Sequence, residues 1–258
     1  MSGTDAGQVP RRADVCAVAC AEVFRGAGEV LASAFGTVPA LGARLAKATF
    51  APDLLLTDGE AYVVAGTAGL DPGTDQLVVE SHLPFRRVFD VVWSGRRRLI
   101  MMASQVDRTG NQNISAIGPW EQPRVQLIGV RGAPGNTVNH PTSYWVPNHS
   151  PRTFVDQVDV VAGVGTRRAA QAGPAASRYH QLGVVVSDLA VVDFDTPDGV
   201  MRLRSVHPGV TVDEVVAATG CPLVVDGTVT ETRAPSDAEL ALLCALDREG
   251  RRFREVPA

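Results

Sequence analysis

The sequence predicts an α/β fold: three layers, a mainly parallel sheet flanked by helices, and a smaller mixed or antiparallel portion. Two observations lead there. In the N-terminal half, helical stretches alternate with short continuous apolar runs, the pattern of parallel strands covered on both faces. From residue 113 onward, strand-like pieces follow one another closely, as an added mixed or antiparallel layer requires. The chain has 258 residues, 45% of them hydrophobic and 20% charged, with a net charge of −4. That composition supports a sizeable core and excludes global disorder.

Residues 1–12 are polar and aperiodic and read as a flexible tail, leaving 13–258 as a single domain because no repeat or low-complexity linker marks a boundary. A helix opens at Asp14, expected as its N-cap, with Val15, Ala19 and Val23 beside Cys16 and Cys20 on adjacent faces. Pro39 marks another first turn, continued at helical spacing by Leu41, Leu45 and Ala48. Leu54-Leu55-Leu56 is a short buried strand running into the turn Thr57-Asp58-Gly59. The order then repeats: Phe85 to Trp93 is an amphipathic helix stopped by Gly95, and Leu99 to Met102 is the next strand. Strand-like pieces cover 113–117, 125–130, 154–161, 184–186 and 190–194. Thr211-Val-Asp-Glu214 and Ser236-Asp-Ala-Glu239 are capping boxes, with Gly220 and Gly250 beyond the helices they open.

Several classes of function are disfavoured. The longest apolar candidate for a membrane span, 184–194, carries Asp188 and Asp193. Arg11-Arg12 precedes an apolar run, but Asp14 and Glu22 interrupt it, unlike a signal peptide. The acidic balance argues against nucleic acid. Cys16, Cys20, Cys221 and Cys244 are scattered, as in a reduced, cytoplasmic protein. Of 24 basic residues only Lys47 is a lysine.

Familiar catalytic motifs are also missing. There is no Gly-x-Ser-x-Gly elbow and no Walker loop. Gly163-Val-Gly165 has Arg168 where a dinucleotide loop needs its third glycine, so it reads as a turn. His82, His149, His180 and His207 lack metal-ligand spacing, and no metal site is expected. Three segments stand out. Thr57-Asp58-Gly59-Glu60 places two carboxylates at the end of a buried strand, where α/β sheets bind ligands, although a solvated turn explains the same residues. Gln105 to Asn113 is an amide-rich turn that a tight hairpin also explains. Arg131-Gly-Ala-Pro-Gly-Asn136-Thr-Val-Asn139-His140-Pro141 reads as a Gly-containing loop dense in donors.

In this order, Leu56-Thr57-Asp58-Gly59, Gln105-Val-Asp-Arg-Thr-Gly-Asn-Gln-Asn113 and the 132–140 loop resemble the β subunits of class I coenzyme A transferases. Ser187 to Phe194 and His207-Pro-Gly-Val-Thr to Gly220 match as well, so the resemblance spans roughly residues 14–220. Within that family the chain is most similar to the β subunits of steroid ring-opening acyl-CoA hydrolases, carried by Asp107 to Ala116 and Arg131 to Trp145. A transferase is expected to hold a nucleophilic glutamate in a Ser-Glu-Asn-Gly turn; here Asp58 stands at that position. Aspartate retracts the carboxylate by about 1.5 Å. Such a displacement can cost on the order of 10²-fold in a positioned reaction.

The resemblance therefore implies ring opening by water addition and retro-Claisen cleavage of a cyclic enone carboxyl-CoA. No cofactor is implied; coenzyme A belongs to the substrate. It also implies a homologous α subunit in an α2β2 heterotetramer, supplying the main catalytic glutamate, with no membrane or nucleic-acid partner. Expected site residues are Asp58 as a water-orienting catalytic group and Arg131, Asn136, Asn139 and His140 as substrate contacts. Two other functions stay open: a true transferase using Asp58 or Glu60 as nucleophile, and a scaffold that only stabilises an α subunit.

Overall fold

The computed structural model of the protein describes residues 9–57, 62–70, 77–130 and 132–257. The first half runs α1 (Arg12–Glu22), β1 (Leu31–Ala34), α2 (Thr37–Thr49), β2 (Leu56–Thr57), β3 (Tyr62–Val64), β4 (Val79–His82), α3 (Phe85–Val92), β5 (Arg97–Met102), β6 (Gln105–Asp107), β7 (Gln112–Asn113), β8 (Ala116–Ile117) and β9 (Val125–Gln126). Next come α4 (Ala133–Asn139), β10 (Pro141–Val146), β11 (Phe154–Val155), α5 (Thr166–Gln171), α6 (Pro174–Ser177), β12 (Gln181–Ser187) and β13 (Ala190–Asp193). The last elements are β14 (Arg202–Val206), α7 (Val212–Ala218), β15 (Thr230–Glu231), α8 (Asp237–Leu246) and α9 (Arg252–Glu255).

The main sheet has the order β1-β5-β10-β12-β13-β14-β15. Its first four strands are parallel, β13 is antiparallel to both neighbours, and β15 runs parallel to β14. The expected α/β class, with its smaller antiparallel portion, is thus present. Strand alternation divides the core in two. On one face Ile100 and Trp145 pack with α1, α2 and Leu243 of α8. On the other, Leu99, Met101 and Tyr144 pack with Val106 and Phe154 of the small sheet β11-β6-β7. Helices α1 and α2 approach closely at Gly42, where a Cβ would stand 2.7 Å from that of Cys20. Among the described residues, no helix is long and apolar enough to cross a membrane.

Both capping boxes form, with Thr211 and Ser236 accepting from the Glu214 and Glu239 amides. Other expectations need correction. Residues 1–8 of the expected tail lie outside the described residues, and Arg12 already belongs to α1. Asp14 is not the N-cap. It sits three residues inside, accepting from the Arg11 amide at 2.8 Å and from the buried Arg252 Nε at 2.7 Å. The 132–140 loop is mostly a helix, because Pro134 suits a first turn and Ala133 and Thr137 are buried.

The run 54–56 yields a strand only from Leu56; Leu55 makes an isolated parallel bridge to Leu31. Lys47, at the end of α2, anchors the segment before it by donating to the carbonyls of Pro52 and Leu54. Two unpredicted strands, β1 and β10, flank β5. Strand β10 is buried on both faces, so it lacks the alternation that would reveal it.

Candidate active site

Strands β1 and β5 are paired with Leu31 opposite Arg97 and Ser33 opposite Leu99. Arg97 therefore starts the row that continues with Leu99 and Met101 into the core. Arg97 is 5% exposed. The Nε and Nη2 groups donate to Ser33 Oγ at 3.1 and 3.0 Å, and Nη1 donates to Asn136 Oδ1 at 2.8 Å. The other end of the Asn136 amide touches Met101 Sδ at 3.5 Å. Burial pushes the Arg97 pKa down to about 10, leaving a cation at neutral pH.

Beside Arg97 lies a cavity of about 320 Å³, lined among others by Ser33, Phe35, Arg44, Thr57, Val91 and Arg97. Thr57 closes β2 and immediately precedes Asp58 in the chain. Arg44 reaches the cavity from α2, donating to the carbonyls of Ala40 and Ala68, and burial lowers its pKa too. The site thus combines an apolar surface, a hydroxyl on the cavity floor and two cations.

Helix α3, which lines the cavity through Val91, is held against α4 by two features. A Cβ at Gly135 would stand 3.0 Å from Val92 Cγ1, so this close packing uses glycine's missing side chain. His140 Nε2 donates to the Val92 carbonyl at 2.8 Å, while its buried Nδ1 has no hydrogen-bond partner. Burial and then the Arg97 charge lower the His140 pKa, so the ring is neutral. Asn139 Nδ2 donates back to the Gly135 carbonyl at 2.7 Å.

Of the residues expected from sequence, Asn136 bonds the Arg97 guanidinium that lines the cavity; His140 secures the α3–α4 contact instead, and Asn139 bonds within α4. Asp58 and Arg131 lie outside the described residues. The amide-rich turn is the expected hairpin: Asp107 Oδ1 accepts from Thr109 and Asn111 amides at 2.9 and 3.0 Å, and Gly110 has φ +80°. Sequence reasoning missed Ser33, Arg44 and Arg97. Arg97 lies in Arg96-Arg97-Arg98 and looks solvated, but its spacing of two from Leu99 and Met101 places it on the inward face.

A second polar cluster is structural. His149 Nδ1 lies 2.8 Å from Ser187 Oγ, its Nε2 lies 3.0 Å from Thr219 Oγ1, and its ring stacks on Phe154. His207 bridges the Ser187 carbonyl and Thr232 Oγ1. Burial holds the two imidazoles at about 3 and about 4, respectively, so both are neutral. Ser187 Oγ already serves the turn through Leu189 and Ala190.

No family model matches the chain. A 3-oxoadipate CoA-transferase subunit of Pseudomonas knackmussii is 30% identical over 223 residues, 81% of this chain and 84% of that one. The cholesterol ring-cleaving hydrolase IpdB subunit of Rhodococcus jostii RHA1 is 51% identical over 246 residues, 95% and 96% of the two chains. The crystal structure of Rhodococcus jostii RHA1 IpdAB superposes with a TM-score of 0.91 at 50% identity, covering 97% of this chain and 100% of that one. Fold and relatives together define the class: a β-type subunit of the coenzyme A transferases. Within that class, the chain belongs to the family of cholesterol ring-cleaving hydrolase IpdB subunits.

Proposed function

We propose that the chain is the β subunit of a heteromeric acyl-CoA hydrolase that opens the last steroid-derived ring, a cyclic enone carboxyl-CoA. The 51% identity to a ring-cleaving hydrolase subunit over nearly the whole chain carries this conclusion. The partner is a homologous α subunit, in an α2β2 heterotetramer working in the cytoplasm. The α3 face supports a partner: Phe85, Phe89 and Trp93 are 70, 49 and 68% exposed, more apolar surface than one lone helix normally shows water.

Water first adds to the ring enone. A second water then attacks the ring ketone, and the bond between that carbon and the thioester α-carbon breaks. The electron pair enters the thioester as an enolate, which is protonated; the ketone carbon leaves as a carboxylate, with coenzyme A still attached. The reaction needs a base, cationic or N–H groups for the developing anions, and a dry pocket. It requires no resident metal or redox cofactor. The base is the α subunit's glutamate, and Asp58 orients water. Arg131, Asn136, Asn139 and His140 are the substrate contacts of this subunit in the assembled complex, with Asn136 also holding Arg97 at the cavity.

The test is incubation of the co-purified αβ complex with the cyclic thioester, followed by mass spectrometry. An open-chain diacid that retains coenzyme A is the expected product. Release of free coenzyme A, or an unchanged substrate with the correct partner present, overturns the proposal. The transferase relative favours the second possibility, acyl exchange through a thioester on Asp58 or Glu60. Hydroxylamine-sensitive labelling of either residue after acyl-CoA treatment would establish it.

A further inference from the structure

A buried charge without a counter-charge costs stability, and proteins retain such groups mainly where a ligand supplies the missing partner. Arg97 is such a group. Its bonds go to a neutral hydroxyl and a neutral amide, and among the described residues no carboxylate pairs with it. Arg44, on the same cavity, bonds only backbone carbonyls among the described residues. The contrast with the larger cavity of about 570 Å³, lined by Arg25 and Arg233, is informative. There the arginines are satisfied: Arg25 pairs with Glu22, and Arg233 with Glu22 and Glu239.

The fork itself is oriented. Ser33 fixes Nε and Nη2, and Asn136 fixes Nη1. A guanidinium has five N–H groups. One N–H on each terminal nitrogen is left, which suits the two oxygens of a carboxylate. The apolar lining from Phe35 and Val91 suits the carbon chain that would carry it.

We infer that Arg97, held by Ser33 and Asn136, binds a carboxylate on the acyl portion of a CoA thioester, with Arg44 adding positive potential to the same cavity. This rests on the acyl-CoA function proposed above and deepens it: a ring-cleaving hydrolase generates a carboxylate at the far end of its acyl chain, and Arg97 receives it.

Adipoyl-CoA and hexanoyl-CoA share chain length and differ in the terminal carboxylate, so their affinities for the αβ complex, measured by calorimetry, isolate this contact. Wild type is expected to favour adipoyl-CoA by at least about 30-fold, the usual loss when a buried charge pair is broken. Arg97→Met should erase that preference, bringing the ratio of the two affinities close to one. A preference retained by R97M, or absent from wild type, overturns the inference.

Should R97M fail to assemble, Asn136→Asp decides instead. It pairs the guanidinium internally without removing it, so the preference should vanish; its persistence rejects the role of Arg97. Failure of the broader functional proposal is distinguishable, because a wild-type complex that binds neither thioester contradicts the acyl-CoA function itself.

Discussion

Single residues set the response of this protein to acid. His149 and His207 are buried neutral, with pKa values of about 3 and about 4 against an ordinary 6.5. The unfolded chain binds their protons more readily than the folded one. Their contribution is therefore complete above pH 6.5 and is lost as pH falls toward 4. Asp188, whose carboxyl burial raises above its ordinary value, acts in the opposite sense. Melting temperature measured from pH 7.5 to 4.5 should fall steeply below 6.5. His207→Gln keeps a donor for the Ser187 carbonyl and removes one titrating ring, so its profile should be shallower, though lower at pH 7.5. An identical acid slope would show that the imidazole is not the responsible group. The absence of metal-ligand spacing at these histidines was legible in the sequence. Their mutual connection through Ser187 was not, since it joins residues 38 and 20 positions away from that serine.

At the level of elements, close approach decides what a glycine does. Gly165 opens α5 and donates to Asn111 Oδ1 at 2.8 Å. A Cβ there would lie 2.1 Å from the Thr109 carbonyl, so the hairpin β6–β7 could no longer rest on the α5 N-terminus. Gly165→Ala should destabilise by about 1–3 kcal/mol or more, as overpacking does. A shifted denaturation midpoint at constant slope is the measurement, and an unchanged midpoint refutes the contact. The glycine pair, expected as a turn, instead bridges to Gln112 at Gly163 and caps α5 at Gly165, and its packing partner lies about 55 residues away and leaves no local trace. Elements with strong local signals were readable. Helix α3 runs Phe85–Val92 as its amphipathic pattern required, and both capping boxes begin their helices. Strand β10 escaped because burial on both faces erases the period of two.

On the scale of the whole molecule, the α/β class was legible because parallel strands and covering helices alternate in the chain. The cavity was less so. It takes Arg44 from α2, Thr57 from β2, Val91 from α3 and Arg97 from β5, and no single segment displays that convergence. Family resemblance pointed instead to the loop before β10. In the structure that segment is α4, whose Asn136 contacts the cavity arginine and whose Gly135 packs against α3. The sequence thus pointed to the segment that carries Asn136, while the arginine which Asn136 holds required the register of β1 against β5.

The lone lysine gives this site a built-in reporter. Lys47 is the one lysine in the sequence, so under an amine-acetylating reagent the peptide that carries it records the state of the Pro52–Leu54 latch. Pulse acetylation of the native complex should modify Lys47 far more slowly than in the denatured chain. Adipoyl-CoA seated beyond Thr57 should slow it again, and equal rates in native and denatured protein would mean that the latch is open in solution.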